Sequence, residues 1–218
     1  MLLRLIRRNG SGLILLAILA YCASAGCSHA LFTALYVMKG QEVEAECKEL
    51  KGKRVAVVCQ PLVSLQFRHA NVAKDLAREV GILLKNNVPK LQLVDQAKVA
   101  EWMDENYNGD EYLEVGKAVR ADMVVGIDLE QFEILAGQTV YQGKAVAAIK
   151  VYNCHTGAQV FSKRLSQIVY PPNHVISTVS KPEAEFRREF LQVVAERVAR
   201  HFYNHDPHAD VALDSRAL

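Results

Sequence analysis

The sequence predicts an α/β (α+β) fold: a single domain with a mixed β-sheet, a βαβ-like first half, an antiparallel meander and a C-terminal helix packed on the sheet. Three patterns predict it. Val55-Ala56-Val57-Val58-Cys59 is a short continuous apolar run between Lys53 and Pro61, as in a strand buried on both faces. Strand-like and helix-period stretches then alternate as far as about Met123. From there three long alternating stretches follow one another, which is most economically a meander with helices packed on the sheet.

After the first strand, a loop over 61–69 leads to a helix. Val72, Leu76, Val80, Leu83 and Leu84 recur at helical spacing, with Lys74, Asp75, Arg78 and Glu79 between them. Asn86-Asn87 and Pro89 stop it. Leu91-Gln92-Leu93-Val94 is a second short strand. Asp95 sits where an N-cap belongs, and the helix from 96 to about 106 is expected to bury Val99, Trp102 and Met103. Asn108-Gly109-Asp110 breaks the chain before a short helix over 111–119, carrying Leu113, Val115 and Val119.

A long strand is expected over 123–135. Val125, Ile127 and Leu129 share one face, and Phe132 and Ile134 fall in the opposite phase. One extra residue near Glu130-Gln131, a β-bulge, brings them together. Gly137 turns the chain into a strand over 141–152 with Ala145, Ala147, Ile149 and Val151 on one face. Asn153 to Gly157 is a hairpin loop, and a further strand runs over 159–169 until Tyr170-Pro171-Pro172-Asn173 ends it. Ser180-Lys181-Pro182-Glu183 reads as a capping box for the last helix. Phe186, Phe190, Val194, Val198 and Phe202, four apart, form its apolar stripe. The domain is therefore set at 53–203, with a polar, disordered tail over 204–218.

The N-terminus sets the location. Arg4, Arg7 and Arg8 precede an apolar run from Leu13 to Ala20, which closes on Ser24-Ala25-Gly26 directly before Cys27. That is the layout of an export signal. Its end resembles a bacterial lipobox, which implies acylation of Cys27; Ser24 stands where that pattern prefers Leu. Residues 12–38 are also apolar enough to be one uncleaved anchor, and a cleaved, soluble form is a third outcome. Each leaves the arginines in the cytoplasm and exports the body of the chain, a domain facing the periplasm or exterior. Residues 28–52 read as a membrane-proximal tether, apolar over 30–38 and charged over 41–53. As flexible coil, 25 residues reach about 25–30 Å.

Composition narrows the chemistry. The 218 residues carry 26 basic and 24 acidic side chains, a net charge of +2, with no basic stripe interleaved with aromatics. Nucleic acid is therefore not an expected partner. Five cysteines show no CxxC or metal framework. No cofactor motif, GxSxG, HExxH or Walker A sequence is present. His201, His205 and His208 are the one histidine cluster and a weak metal candidate, placed where the helix runs into a polar tail. Cys59, at the end of a strand, reads as a buried structural thiol before a nucleophile. Asp128 and Glu130 read as a solvated strand face, and His155 as an exposed turn residue. Tyr141, Tyr152 and Tyr170 on the meander are candidate partner contacts, beside a sheet edge able to accept another strand.

Three stretches carry a resemblance: Arg54-Val55-Ala56-Val57-Val58 with the helix and Leu93-Val94-Asp95 after it; Gly116-Lys117-Ala118-Val119-Arg120-Ala121-Asp122-Met123-Val124-Val125-Gly126; and Val151-Tyr152-Asn153-Cys154-His155-Thr156-Gly157. They are similar to the exported CsgG-like (curli-secretion) and LpoB-like (synthase-activator) lipoproteins and to the N-terminal domain of TolB, over about residues 53–200. The resemblance implies a non-catalytic envelope protein that scaffolds or activates a partner; a homo-oligomer is a separate partner expectation. The chain has no long amphipathic insertion of the kind a membrane pore needs. The expected function is a membrane-tethered adaptor or assembly component contacting another envelope protein. The alternative is a small exported enzyme or metal-binding protein using Cys59 or the histidines.

Overall fold

The computed structural model describes residues 42–61, 71–106 and 112–207. These fall almost wholly in one compact unit that begins at Val43. Its elements are β1 (Arg54–Pro61), α1 (Val72–Asn87), β2 (Gln92–Leu93), α2 (Gln96–Glu105), α3 (Tyr112–Ala118), β3 (Met123–Leu135), β4 (Val140–Asn153), β5 (Gln159–Arg164), β6 (Ile168–Tyr170), β7 (Ile176–Ser177) and α4 (Glu183–Ala199), closed by a 3₁₀ turn over Arg200–Phe202. The fold is a mixed α/β sheet with helices packed on it, as the patterning predicts.

The strands lie in the order β2-β1-β3-β4-β5, and β6 and β7 continue along the same edge of β4 as β5. β1 runs parallel to both β2 and β3, while β3–β4 and β4–β5 are antiparallel. Val55 through Cys59 are all buried because each face of the sheet is covered. On β1, Val55, Val57 and Cys59 join the core beneath α1 and α4, and Ala56 and Val58 join the core beneath α2 and α3. The expected bulge is present: the register shifts between Leu129 and Gln131, so Ile127, Leu129, Phe132 and Ile134 all end in one core.

Phe186, Phe190, Val194, Val198 and Phe202 are all buried. The α4 stripe docks on β4 where Gly143 leaves room, since a Cβ there would lie 2.5 Å from the Phe190 ring. Ring centroids stack at 5.1 Å for Phe132–Phe190 and 4.8 Å for Tyr141–Phe186.

Four expectations need correction. The single strand over 159–169 is interrupted at 165–167, giving β5 and β6. The capping box does not form. Pro182 occupies the N-cap with no side-chain bond, and Ser180 Oγ instead donates to the Ser177 carbonyl at 2.8 Å, closing a turn. α2 buries only Val99 fully; Trp102 and Met103 are half-buried. The end of the segment read as tether is packed: Cys47 and Leu50 lie in the core, and Val43 pairs with His205 in an antiparallel bridge. Cys47 and Leu50 dock it together with the Cys47 N–H bond to the His201 carbonyl and the contacts of Glu46 with Lys163 and His201. That bridge also orders 204–207, the start of the expected tail. Residues 1–41 and 208–218 lie outside the described residues, and no described helix is long and apolar enough to cross a membrane.

Candidate functional site

β2 pairs with β1 only at Arg54 and Val55, yet β1 continues to Pro61. The cause is local: the Asp95 carboxylate accepts the Ala97 N–H at 2.9 Å and starts α2, so β2 stops almost as soon as it forms. In a parallel ladder the backbone groups of successive residues point to opposite neighbours. Lys53 and Val55 accept from Gln92 and Val94 on the β2 side at 2.9 Å each, and Arg54 accepts from Asp122 on the β3 side at 2.7 Å. By that alternation Val57 and Cys59 turn their N–H and C=O groups toward the β2 side, beyond the end of β2.

Val57, Val58 and Cys59, on the edge of β1 that has no strand partner among the described residues beyond Val55, floor a groove of about 710 Å³ between α1 and α2, with Val57 itself fully buried. Small side chains make its walls, Ala73 and Ala77 from α1 and Ala97 and Ala100 from α2, together with Met103. Lys74 Nζ bonds both oxygens of Asp104 at 2.9 Å, tying the two helices at the rim. Gln96 Nε2, also in the lining, is buried without a hydrogen-bond partner among the described residues. The groove can hold a small apolar group beside the end of β1.

Cys59 lies in this lining but is poorly suited to attack. Burial, and then the nearby Asp128 charge, push its thiol far above the ordinary range, so the thiolate is scarce. Cys47 and Cys154 are likewise free, buried and raised by burial. Asp128 is a structural acceptor. Tyr112 Oη donates to it at 2.5 Å and Lys150 Nζ at 2.9 Å. Burial first, then this hydrogen bond, raises the Tyr112 hydroxyl, so it stays a donor. Glu130 pairs with Arg164 at 2.6 Å. Asp128 and Glu130 are therefore half-buried and engaged in structural pairs, rather than forming the solvated strand face that their alternation suggests.

The histidines separate. His201 is buried with Nδ1 3.1 Å from Glu46 Oε1, His205 forms the bridge to Val43, and His208 lies outside the described residues. No group of three His, Cys, Asp or Glu side chains among the described residues could hold a metal ion. Two of the three contact tyrosines are corrected. Tyr141 and Tyr170 are buried among Phe186 and Phe190, because the face of β4 and β6 on which they fall is the one α4 covers. Tyr152 is half-buried and stacks on Tyr112 at 6.3 Å. Cys27 lies outside the described residues.

One junction was not singled out as a unit from the sequence. Asp122 accepts the Arg54 N–H at 2.8 Å and meets His155 Nε2 at 3.0 Å, while its carbonyl accepts the Cys154 N–H at 2.9 Å. The Arg54 hydrogen bond, then His155, hold its carboxyl below the usual carboxylate range. Gly116 packs against Cys154, where a Cβ would come within 2.5 Å of Sγ. The three stretches that carry the family resemblance thus meet at one end of the sheet. Their markers, Asp122, His155 and Gly116, are joints of the fold.

No protein-family profile and no curated protein match the chain. Solved structures are similar in shape at low identity. The PelC dodecamer from Paraburkholderia phytofirmans aligns at 13% identity and a TM-score of 0.41, over 74% of this chain and 91% of that one. Lipoprotein GNA1162 from Neisseria meningitidis aligns at 10% and 0.40, over 67% and 96%. The LpoB C-terminal domain from Salmonella enterica aligns at 15% and 0.36, over 61% and 89%.

Proposed function

We propose that this protein is a membrane-tethered, non-catalytic adaptor of the bacterial envelope. In this reading it is a lipoprotein acylated at Cys27, related to the CsgG-like and LpoB-like proteins, whose domain binds an extended segment of another envelope protein. The observation that carries the proposal is the edge of β1 beyond Val55, which has no strand partner among the described residues. That edge borders the groove between α1 and α2, whose lining includes four alanines, and edge pairing there suits a strand with small apolar side chains at alternate positions. Each ladder bond adds about 0.5–1.5 kcal/mol net. Tethering both partners to one membrane raises their effective concentration, so such a modest interface suffices. The meander, with Tyr141 and Tyr170 in the core, is the less favoured contact surface.

Complementation of a deletion strain tests the adaptor. Ala100→Trp fills the groove from its α2 wall and is expected to abolish complementation while leaving thermal unfolding within a few degrees of the parent. Cys59→Ser and His205→Gln are expected to complement fully. If Ala100→Trp complements and either of the other two, still folded, does not, the protein works through a chemical site and the adaptor reading is wrong.

A further inference from the structure

A second cleft, of about 420 Å³, lies between the β5–β6 interruption and the C-terminal end of α4. Lys163, Arg164, Arg197, Arg200 and His201 line it, and no carboxylate is among the described residues of its lining. The sheet opens here because pairing with β4 lapses: Leu165 N–H still bonds the Ala147 carbonyl at 2.9 Å, but the ladder resumes only at Ile168. Arg197 and Arg200 are three apart, so they project from neighbouring positions of the helix end, where the dipole favours cations. The dipole accounts for those two. It does not account for Lys163 and Arg164 arriving from the sheet.

Two carboxylates reach this ring from outside the lining. Glu46 bonds Lys163 Nζ at 2.5 and 2.7 Å and His201 Nδ1 at 3.1 Å, and Glu130 bonds Arg164. Arg197 and Arg200 also have partners within the fold. Burial, then the charge of Lys163, hold the pKa of His201 below the ordinary value despite Glu46, and Arg200 adds to the effect. The cleft also marks where the N-terminal segment joins the domain. Cys47 N–H bonds the His201 carbonyl at 3.0 Å, and Val43 pairs with His205.

We infer that this cleft binds a phosphate group, carried by an anionic phospholipid headgroup or by a free phosphate ester. Guanidinium forks match phosphate oxygens two at a time, and a lysine adds a point charge. The volume lies in the range that holds an organic ligand and exceeds what a bare ion needs. Glu46 acts as the resident anion that an incoming phosphate competes with at Lys163. The lipid source rests on the membrane-tethered reading, because only then does the junction beside Val43 lie near headgroups; the phosphate site itself does not.

Hydrogen exchange of the full-length protein tests this. The segments to follow are 163–168 and 197–202. In detergent, inorganic phosphate is added at constant ionic strength. In parallel, the protein is placed in nanodiscs of phosphatidylglycerol with phosphatidylcholine, or of phosphatidylcholine alone. Protection of about tenfold is expected once ligand stands at about ten times its Kd. Glu46→Gln should reach it at lower phosphate, and Arg197→Gln with Arg200→Gln should lose it. Should that double variant misfold, Lys163→Gln serves instead. Protection by phosphatidylglycerol nanodiscs alone supports the lipid headgroup, and protection by inorganic phosphate supports a free phosphate ester. Protection in neither arm, for the parent and Glu46→Gln alike, overturns the inference. If the chain proves not to be held by membranes, the inorganic phosphate arm still decides.

Discussion

Asp122 shows how much one side chain can hold together. It fixes the first residue of β1, the turn after β4 and the start of β3 at one point. Asp122→Ala leaves the Arg54 N–H without its acceptor, and the expected loss is about 1–2 kcal/mol, read from the urea midpoint. Asp122→Asn should recover most of it. Equal loss in both variants would mean that charge, not the hydrogen bond, matters. Gly126 is a second such residue. A Cβ there would lie 2.6 Å from the Tyr112 ring, so only glycine lets α3 sit against β3 and the Tyr112 hydroxyl reach Asp128. Neither role was legible in sequence, since each depends on residues brought together by the sheet. Cys59 was legible: an apolar run ending in cysteine reads as a buried thiol, and the fold buries it.

At the scale of elements, period told more than local signals did. The phase break between Leu129 and Phe132 located the bulge, and the four-residue spacing of phenylalanines located the buried side of α4. The capping box failed because Ser180 closes its own turn and Pro182 leads the helix. Tyr141 and Tyr170 failed as contacts because a meander strand has two faces, and the face that α4 covers is set by tertiary packing. Phe190→Ala removes the ring that stacks on Phe132 and fills the space above Gly143; the expected cost in chemical denaturation is about 3–5 kcal/mol. A cost under about 1 kcal/mol would mean α4 is not docked as described.

The segment 43–50 is an element the sequence hid among charges, and its fastening should depend on pH. His201 has a folded pKa below the ordinary 6.5, through burial and then Lys163. The unfolded chain therefore takes up this proton first. The contribution of neutral His201 is complete above about 6.5 and declines as pH falls from there toward the lowered folded value. Glu46, held low by Lys163, keeps its charge through that window. The urea midpoint is expected to drop between about pH 7 and 5, and His201→Gln should flatten that slope. A midpoint that rises over the same range would reverse the assignment.

For the whole molecule, the domain presents two separate features: a β1 edge with no strand partner among the described residues beyond Val55, beside a groove, and a basic cleft where the segment 43–50 joins. Both take their meaning from what lies before Val43. If Cys27 is acylated, both belong to a domain held near a membrane. The sequence pattern bounds the folding unit at 53–203, but Cys47 and Leu50 extend its core toward the N-terminus, so a stable fragment is expected to need residues from Val43 onward.

The measurement closest to the central claim is the intact mass of the protein recovered from the membrane fraction. The account predicts a chain that begins at Cys27 and carries added lipid. A full-length, unmodified chain in the soluble fraction, with none in the membrane, would contradict it.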